Sequence, residues 1–170
     1  MVGGLPGTGK STVAGALADR MGGVLLRTDQ IRREVPGSAG LDAGAGYRRG
    51  LYAGPRVHET YREMLSRARS PLERGESVVL GASWSDAHER ESARAVAHLG
   101  LSGLTELCCV APTAITEARM AARTGDPSDA TADIAAATRG SFAPWSEADL
   151  VDTAGRPETA VEQAWRIVGG

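Results

Sequence analysis

The chain has 170 residues, 42% hydrophobic and 24% charged, with a formal net charge of −2. That is enough length and apolar content for one domain with a full core, and no segment has the pattern of a signal peptide or a membrane span. The charge gives no global attraction to nucleic acid or acidic lipid, and the adjacent Cys108 and Cys109 have no metal-ligand spacing and, on opposite faces of a strand, no disulfide geometry, which suits a reducing cytoplasm.

Met1-Val2-Gly3 supplies only half of the buried strand expected before the glycine-rich stretch that follows. Either the strand is unusually short or the chain is a piece of a longer polypeptide, and the second is the expectation preferred. The stretch Gly4-Leu5-Pro6-Gly7-Thr8-Gly9-Lys10-Ser11-Thr12 meets the pattern G-x-x-x-x-G-K-[ST]. Glycines let the backbone wrap a phosphate, and the inward N–H groups form an anion nest at a helix start. Lys10 is positioned to reach the β- and γ-phosphates, and the Ser11 hydroxyl to hold Mg²⁺. The candidate ligand is therefore ATP with Mg²⁺.

Val13, Leu17 and Met21 fall four apart and predict an amphipathic helix. Leu25-Leu26 reads as a short buried strand, with Asp29 just after it. At the carboxyl end of a parallel strand Asp29 faces the ligand crevice, where a carboxylate can act as base or take part in metal binding. The alternative role is a helix cap before Gln30. Arg32 is a candidate clamp for an acceptor, whereas Arg33 fits a solvated helix face. Gly37 to Gly54, carrying Tyr47, Arg48, Arg49 and Tyr52, reads as a long loop. Tyr47, Tyr52 and Tyr61 can line an acceptor pocket, and packing explains them equally well.

A helix is expected from about Arg56 to Arg74, broken at Pro71. Strands follow at Ser77–Leu80, Leu107–Val110 and Leu150-Val151. Between them, Asp86 and Glu89 have the spacing of a capping box opening a helix through Ala93, Val96 and Ala97. Arg119 and Arg123 lie four apart on one helix face, ahead of a turn cluster over Gly125 to Thr131. That is the layout of a lid whose arginines reach across a triphosphate and exclude water. Asp152-Thr153-Ala154-Gly155 reads as a strand end and turn, with Thr153 to Gly155 near the nucleotide base. Val161, Ala164, Trp165 and Val168 mark a last amphipathic helix. His58, His88 and His98 are scattered surface positions. Strands and helices alternate throughout, which predicts an α/β fold with a parallel sheet in one domain over 1–170.

There is no Asn-Lys-x-Asp guanine motif, no apolar strand ending in Asp-Glu as in motor ATPases, and no transporter signature. A small phosphotransferase remains. Residues 3–12, 27–34 and 77–84, Cys109 to Pro112 with Arg119 and Arg123, and 151–155 together resemble the small P-loop kinases related to gluconate kinase, zeta toxin and chloramphenicol phosphotransferase. They resemble still more the ATP-binding domain that follows an aminoglycoside-phosphotransferase-like half in bifunctional proteins. The resemblance implies a three-layer αβα sandwich with a five-stranded parallel sheet in order 2-3-1-4-5. It implies phosphoryl transfer from ATP to a hydroxyl of a small-molecule acceptor, and a fused N-terminal domain.

One position departs from that resemblance. Where the family often has Leu-Asp-Ala at the end of the third strand, this chain has Leu80-Gly81-Ala82, and Gly81 can neither order metal-bound water nor act as a base. Three readings follow: a small-molecule kinase using Lys10, Ser11, Asp29, Arg119 and Arg123; an ATP-binding regulatory module; and a kinase for a nucleic-acid 5′-hydroxyl, which the net charge of −2 disfavours.

Overall fold

The computed structural model describes residues 1–35, 54–122 and 132–169. The described strands are β1 (Val2–Gly3), β2 (Val24–Arg27), β3 (Val78–Gly81), β4 (Leu107–Val110) and β5 (Asp149–Asp152). The described helices are α1 (Lys10–Met21), α2 (Thr28–Glu34), α3 (Gly54–Glu73), α4 (Ala87–Leu99), α5 (Thr113–Ala121), α6 (Ala132–Gly140) and α7 (Pro157–Val168). The strands form one parallel sheet in the order β2-β3-β1-β4-β5, the order the resemblance implies.

β1 is only two residues long, yet it is the central strand. It is held from both sides: Leu107 N–H donates to Met1 O at 2.8 Å and Ala82 N–H to Val2 O at 3.3 Å. The chain runs from β1 to the β2–β3 side and later returns to the β4–β5 side. The carboxyl ends beside β1 therefore frame the crevice where open α/β sheets bind ligands. Among the described residues no helix is long and apolar enough to cross a membrane.

Side chains alternate across the sheet and build two cores. Val2, Val79, Cys109 and Val151 face α1 and α7, where Val13, Ala14, Leu17, Ala160 and Ala164 complete an aliphatic layer. Met1, Leu80 and Cys108 face the opposite side with Met64, Ala93, Trp84 and Trp145. The two cysteines thus lie on opposite faces as free thiols, and burial pushes the Cys109 thiol up to about 12.

The second core is polar at its centre. Arg90 is 2% exposed, and its guanidinium donates to the carbonyls of Trp84 (3.1 Å), Ala143 (3.2 Å) and Pro144 (2.7 Å). It also lies 5.2 Å from the centre of the Trp145 ring. Glu106 takes a forked pair from Arg94 at 2.7 and 2.9 Å and the indole N–H of Trp145 at 2.5 Å. These bonds pin the 141–148 segment under the end of β3. Trp145 in turn stacks so tightly on Gly3 that no side chain fits there.

Two local expectations change. Helix α3 continues through Pro71 to Glu73. Proline loses the bond to the carbonyl of residue i−4 and crowds that carbonyl, but its ring is buried here and the helix ends two residues later. Asp86 does cap α4, accepting from His88 N–H at 2.9 Å. Glu89, however, does not close a capping box: its buried carboxylate pairs with His58 Nδ1.

Candidate nucleotide and phosphoryl-transfer site

The phosphate loop leaves β1 at Gly4, whose N–H donates to Ser83 O at 3.2 Å across the end of β3. Thr8 closes the loop on itself, its hydroxyl donating to Leu5 O at 2.7 Å. Gly7 has a φ of 82° and packs on Thr116, whose carbonyl would lie 2.6 Å from any Cβ at that position. Gly9 precedes α1 with φ 79°, and no side chain caps the helix start. The positive end of the helix is thus left for an anion to cap. Lys10 and Ser11 occupy that first turn.

The loop is tied to β5. The Thr153 hydroxyl lies 2.6 Å from Thr8 O and 2.9 Å from Val110 O, and Thr153 N–H donates to Val110 O at 2.9 Å. Arg119, on α5, donates through Nη2 to Thr153 O at 2.7 Å. Its Nη1 is buried without an acceptor among the described residues, and lies 3.8 Å from where a Cβ on Gly9 would sit. A cleft of about 260 Å³ opens here, lined by Gly7, Gly9, Thr12, Arg119, Thr153 and Pro157.

Asp29 stands on the other side of the loop. Helix α2 begins at Thr28, after Arg27, so Asp29 lies inside the first turn and is not the cap before Gln30. Its carboxylate is 3.4 Å from Arg32 Nη1 and 3.7 Å from Arg27 Nη2. The same Arg27 Nη2 donates to Ser11 Oγ at 3.0 Å. Arg27 therefore joins the phosphate loop to Asp29. Sequence reasoning missed it; the one signal was a charged residue closing an apolar strand, two positions before Asp29.

The structure brings Gly4 to Thr12, Asp29, Arg32, Arg119 and Thr153 to one end of the sheet. Arg32 is 7% exposed and holds Asp29. Tyr61 belongs to the core: it is 4% exposed, its hydroxyl accepts from Trp84 N–H at 3.1 Å and lies 3.2 Å from Ser83 Oγ, and burial raises its phenol. It is a packing residue, not an open pocket wall. Arg123, Tyr47 and Tyr52 lie outside the described residues, as does the turn cluster expected over Gly125 to Thr131.

The family implied by the sequence uses Mg²⁺, and the chain's oxygen donors do not fit it as arranged. Ser11 Oγ already accepts from a guanidinium. β3 ends in Gly81 where a carboxylate would stand, with Arg27 Cγ 3.5 Å from a Cβ built there.

The chain belongs to the AAA domain family, which matches residues 1–145. It is 39% identical over 168 residues to the uncharacterized protein Rv2004c of Mycobacterium tuberculosis and to an uncharacterized protein of Mycobacterium bovis, Mb2027c. The match covers 98% of this chain and 34% of each relative, so the chain spans about a third of their length. Its fold is shared by a sugar kinase from Janibacter (TM-score 0.75, 18% identity, covering 98% of this chain and 91% of that one). The Mycobacterium tuberculosis APS kinase CysC, in complex with AMPPNP and APS, has a TM-score of 0.73 at 19% identity, covering 99% and 95%. A gluconokinase from Sinorhizobium meliloti has 0.65 at 20%, covering 99% and 88%. The P-loop kinase fold is thereby shown.

Proposed function

We propose that this chain is an ATP-dependent phosphotransferase that moves the γ-phosphoryl group to a hydroxyl of a small molecule. The observation that carries the reading is the Asp29 carboxylate standing beside the phosphate loop, linked to Ser11 through one guanidinium. The acceptor oxygen attacks the γ-phosphorus, its proton passes to Asp29, and the β–γ bridging bond breaks to leave ADP. Lys10 neutralises the phosphoryl oxygens, and the loop N–H groups hold the phosphates. Arg32 orients Asp29, and Arg119 offers its Nη1 to the nucleotide beside Gly9 and Thr153. The cleft at Thr153 receives the nucleoside. The greater length of the relatives supports fusion to further chain, which on the resemblance alone is an N-terminal aminoglycoside-phosphotransferase-like domain, and the free cysteines fit a cytoplasmic protein.

A second reading is a regulatory ATP-binding module, favoured by Gly81 in the place of a carboxylate. The separating experiment is ADP release from ATP with gluconate, hexoses, amino sugars, aminoglycosides, chloramphenicol, nucleosides and a 5′-hydroxyl oligonucleotide as acceptors. One acceptor class is expected to stimulate release. Lys10→Ala should abolish it, and Asp29→Asn should lower it about a hundredfold or more while nucleotide binding persists. Tight ATP binding with no stimulation by any acceptor would replace the kinase with the module. Stimulation that survives Asp29→Asn would remove Asp29 as the base.

A further inference from the structure

We propose that the Arg27 guanidinium is the built-in cation of this phosphate seat, so that a nucleoside polyphosphate is held there without a divalent metal. The inference rests on the phosphate-loop reading above and goes beyond it. Arg27 closes β2 in register with Gly81 of β3. Because residue 81 has no side chain, the Arg27 stem runs across the strand end, 3.5 Å from where a Cβ of residue 81 would be. Its head then reaches Ser11 Oγ at 3.0 Å, with Asp29 Oδ2 at 3.7 Å. Ser11 and Asp29 are the two oxygens that the sequence marks for a cation beside the loop, and one guanidinium lies against both.

Charge and stereochemistry favour the arginine as the resident group. A guanidinium stays protonated in a protein and carries five donors in a fixed fork. Ser11 is the one hydrogen-bond partner of Arg27 among the described residues, so donors remain for phosphate oxygens. A Mg²⁺ ion would need Ser11 Oγ at about 2.0–2.1 Å in near-octahedral surroundings, at a place where a guanidinium already donates to that oxygen. Two cations there repel each other. The Asp29 carboxylate offsets the charge of Arg27 and keeps it at the seat before nucleotide arrives.

The test is nucleotide affinity, read by calorimetry with ATP in excess EDTA and again in excess MgCl2, on the full 170-residue chain. Wild type should bind within about threefold in the two buffers. Arg27→Gln should lose about tenfold to a hundredfold in EDTA, the worth of one or two charge-assisted hydrogen bonds, and less in MgCl2. Arg27→Lys, which keeps the charge without the fork, should fall between them. Melting of each variant without nucleotide separates lost binding from lost folding. Wild-type binding that vanishes in EDTA overturns the proposal, as does Arg27→Gln binding that equals wild type in EDTA. Tighter Mg-ATP binding by Arg27→Gln with no loss in EDTA also overturns it, since Arg27 would then only compete with the metal. Lys10→Ala in the same series should bind weakly in both buffers. If it matches wild type in both, the phosphate-loop reading itself fails, whereas failure of the Arg27 arm alone leaves that reading intact.

Discussion

The two faces of the sheet are built from different chemistry. The α1–α7 face is aliphatic, with Val13, Ala14, Leu17, Val79, Val151 and Ala164 in contact and no charged side chain among its buried members. The α3–α4 face buries Arg90, Glu89 and Glu106 among Trp84, Tyr61 and Trp145. The aliphatic face carries the helix that starts at the phosphates and needs only to keep it still. The polar face has to fix the shape of an irregular segment, from Ser83 to Ser85 and from Ala143 to Pro144. Irregular backbone exposes carbonyls that neither helix nor strand satisfies. A buried arginine with several donors meets three of them at once.

The largest expected effect tests that claim directly. Arg90→Ala strands the carbonyls of Trp84, Ala143 and Pro144 and should cost about 4 kcal/mol in chemical denaturation. Arg90→Met, similar in length but without donors, should cost nearly as much; a neutral Arg90→Met would show that packing, not hydrogen bonding, holds the segment. On the other face, Leu17→Ala should cost about 3 kcal/mol through lost burial and a cavity, with no dependence on pH or salt. The smallest effect is an acid limb. Desolvation raises the Glu106 carboxyl, but the Arg94 and Trp145 hydrogen bonds outweigh it and hold the group below its ordinary value. Its stabilisation is therefore complete above the unfolded carboxylate value and is lost as pH falls through the lower folded value. Glu106→Gln should flatten this limb in urea titrations across pH; an unchanged limb would assign it to other carboxylates.

The same contrast explains what could be read without coordinates. Val13, Leu17 and Met21, or Val161 and Ala164, announce a buried helix face through spacing alone. So does the phosphate loop, because its function lies in backbone N–H groups that glycine spacing specifies locally. Arg90 and Glu106 look like surface residues in the sequence, since nothing local says that carbonyls of residues 143 and 144 will arrive above Arg90. Glu89 fits a capping box by spacing and instead meets His58 from a distant helix. Arg27 belongs to this class too: its role depends on β2 lying beside Gly81 and on Ser11 standing across the crevice. In the sequence Tyr61 fits pocket and core equally, and only the approach of Trp84 decides between them.

Thr153 gives the molecule a short mechanical coupling. One hydroxyl touches both the carbonyl of Thr8, in the loop, and the carbonyl of Val110, at the end of β4. Its own carbonyl takes Arg119. Any ligand that shifts the turn after β5 therefore moves an anchor of the phosphate loop and the head of the α5 arginine together. The cleft and the phosphate loop thus share one anchor in Thr153, which lines the first and is bonded to the second.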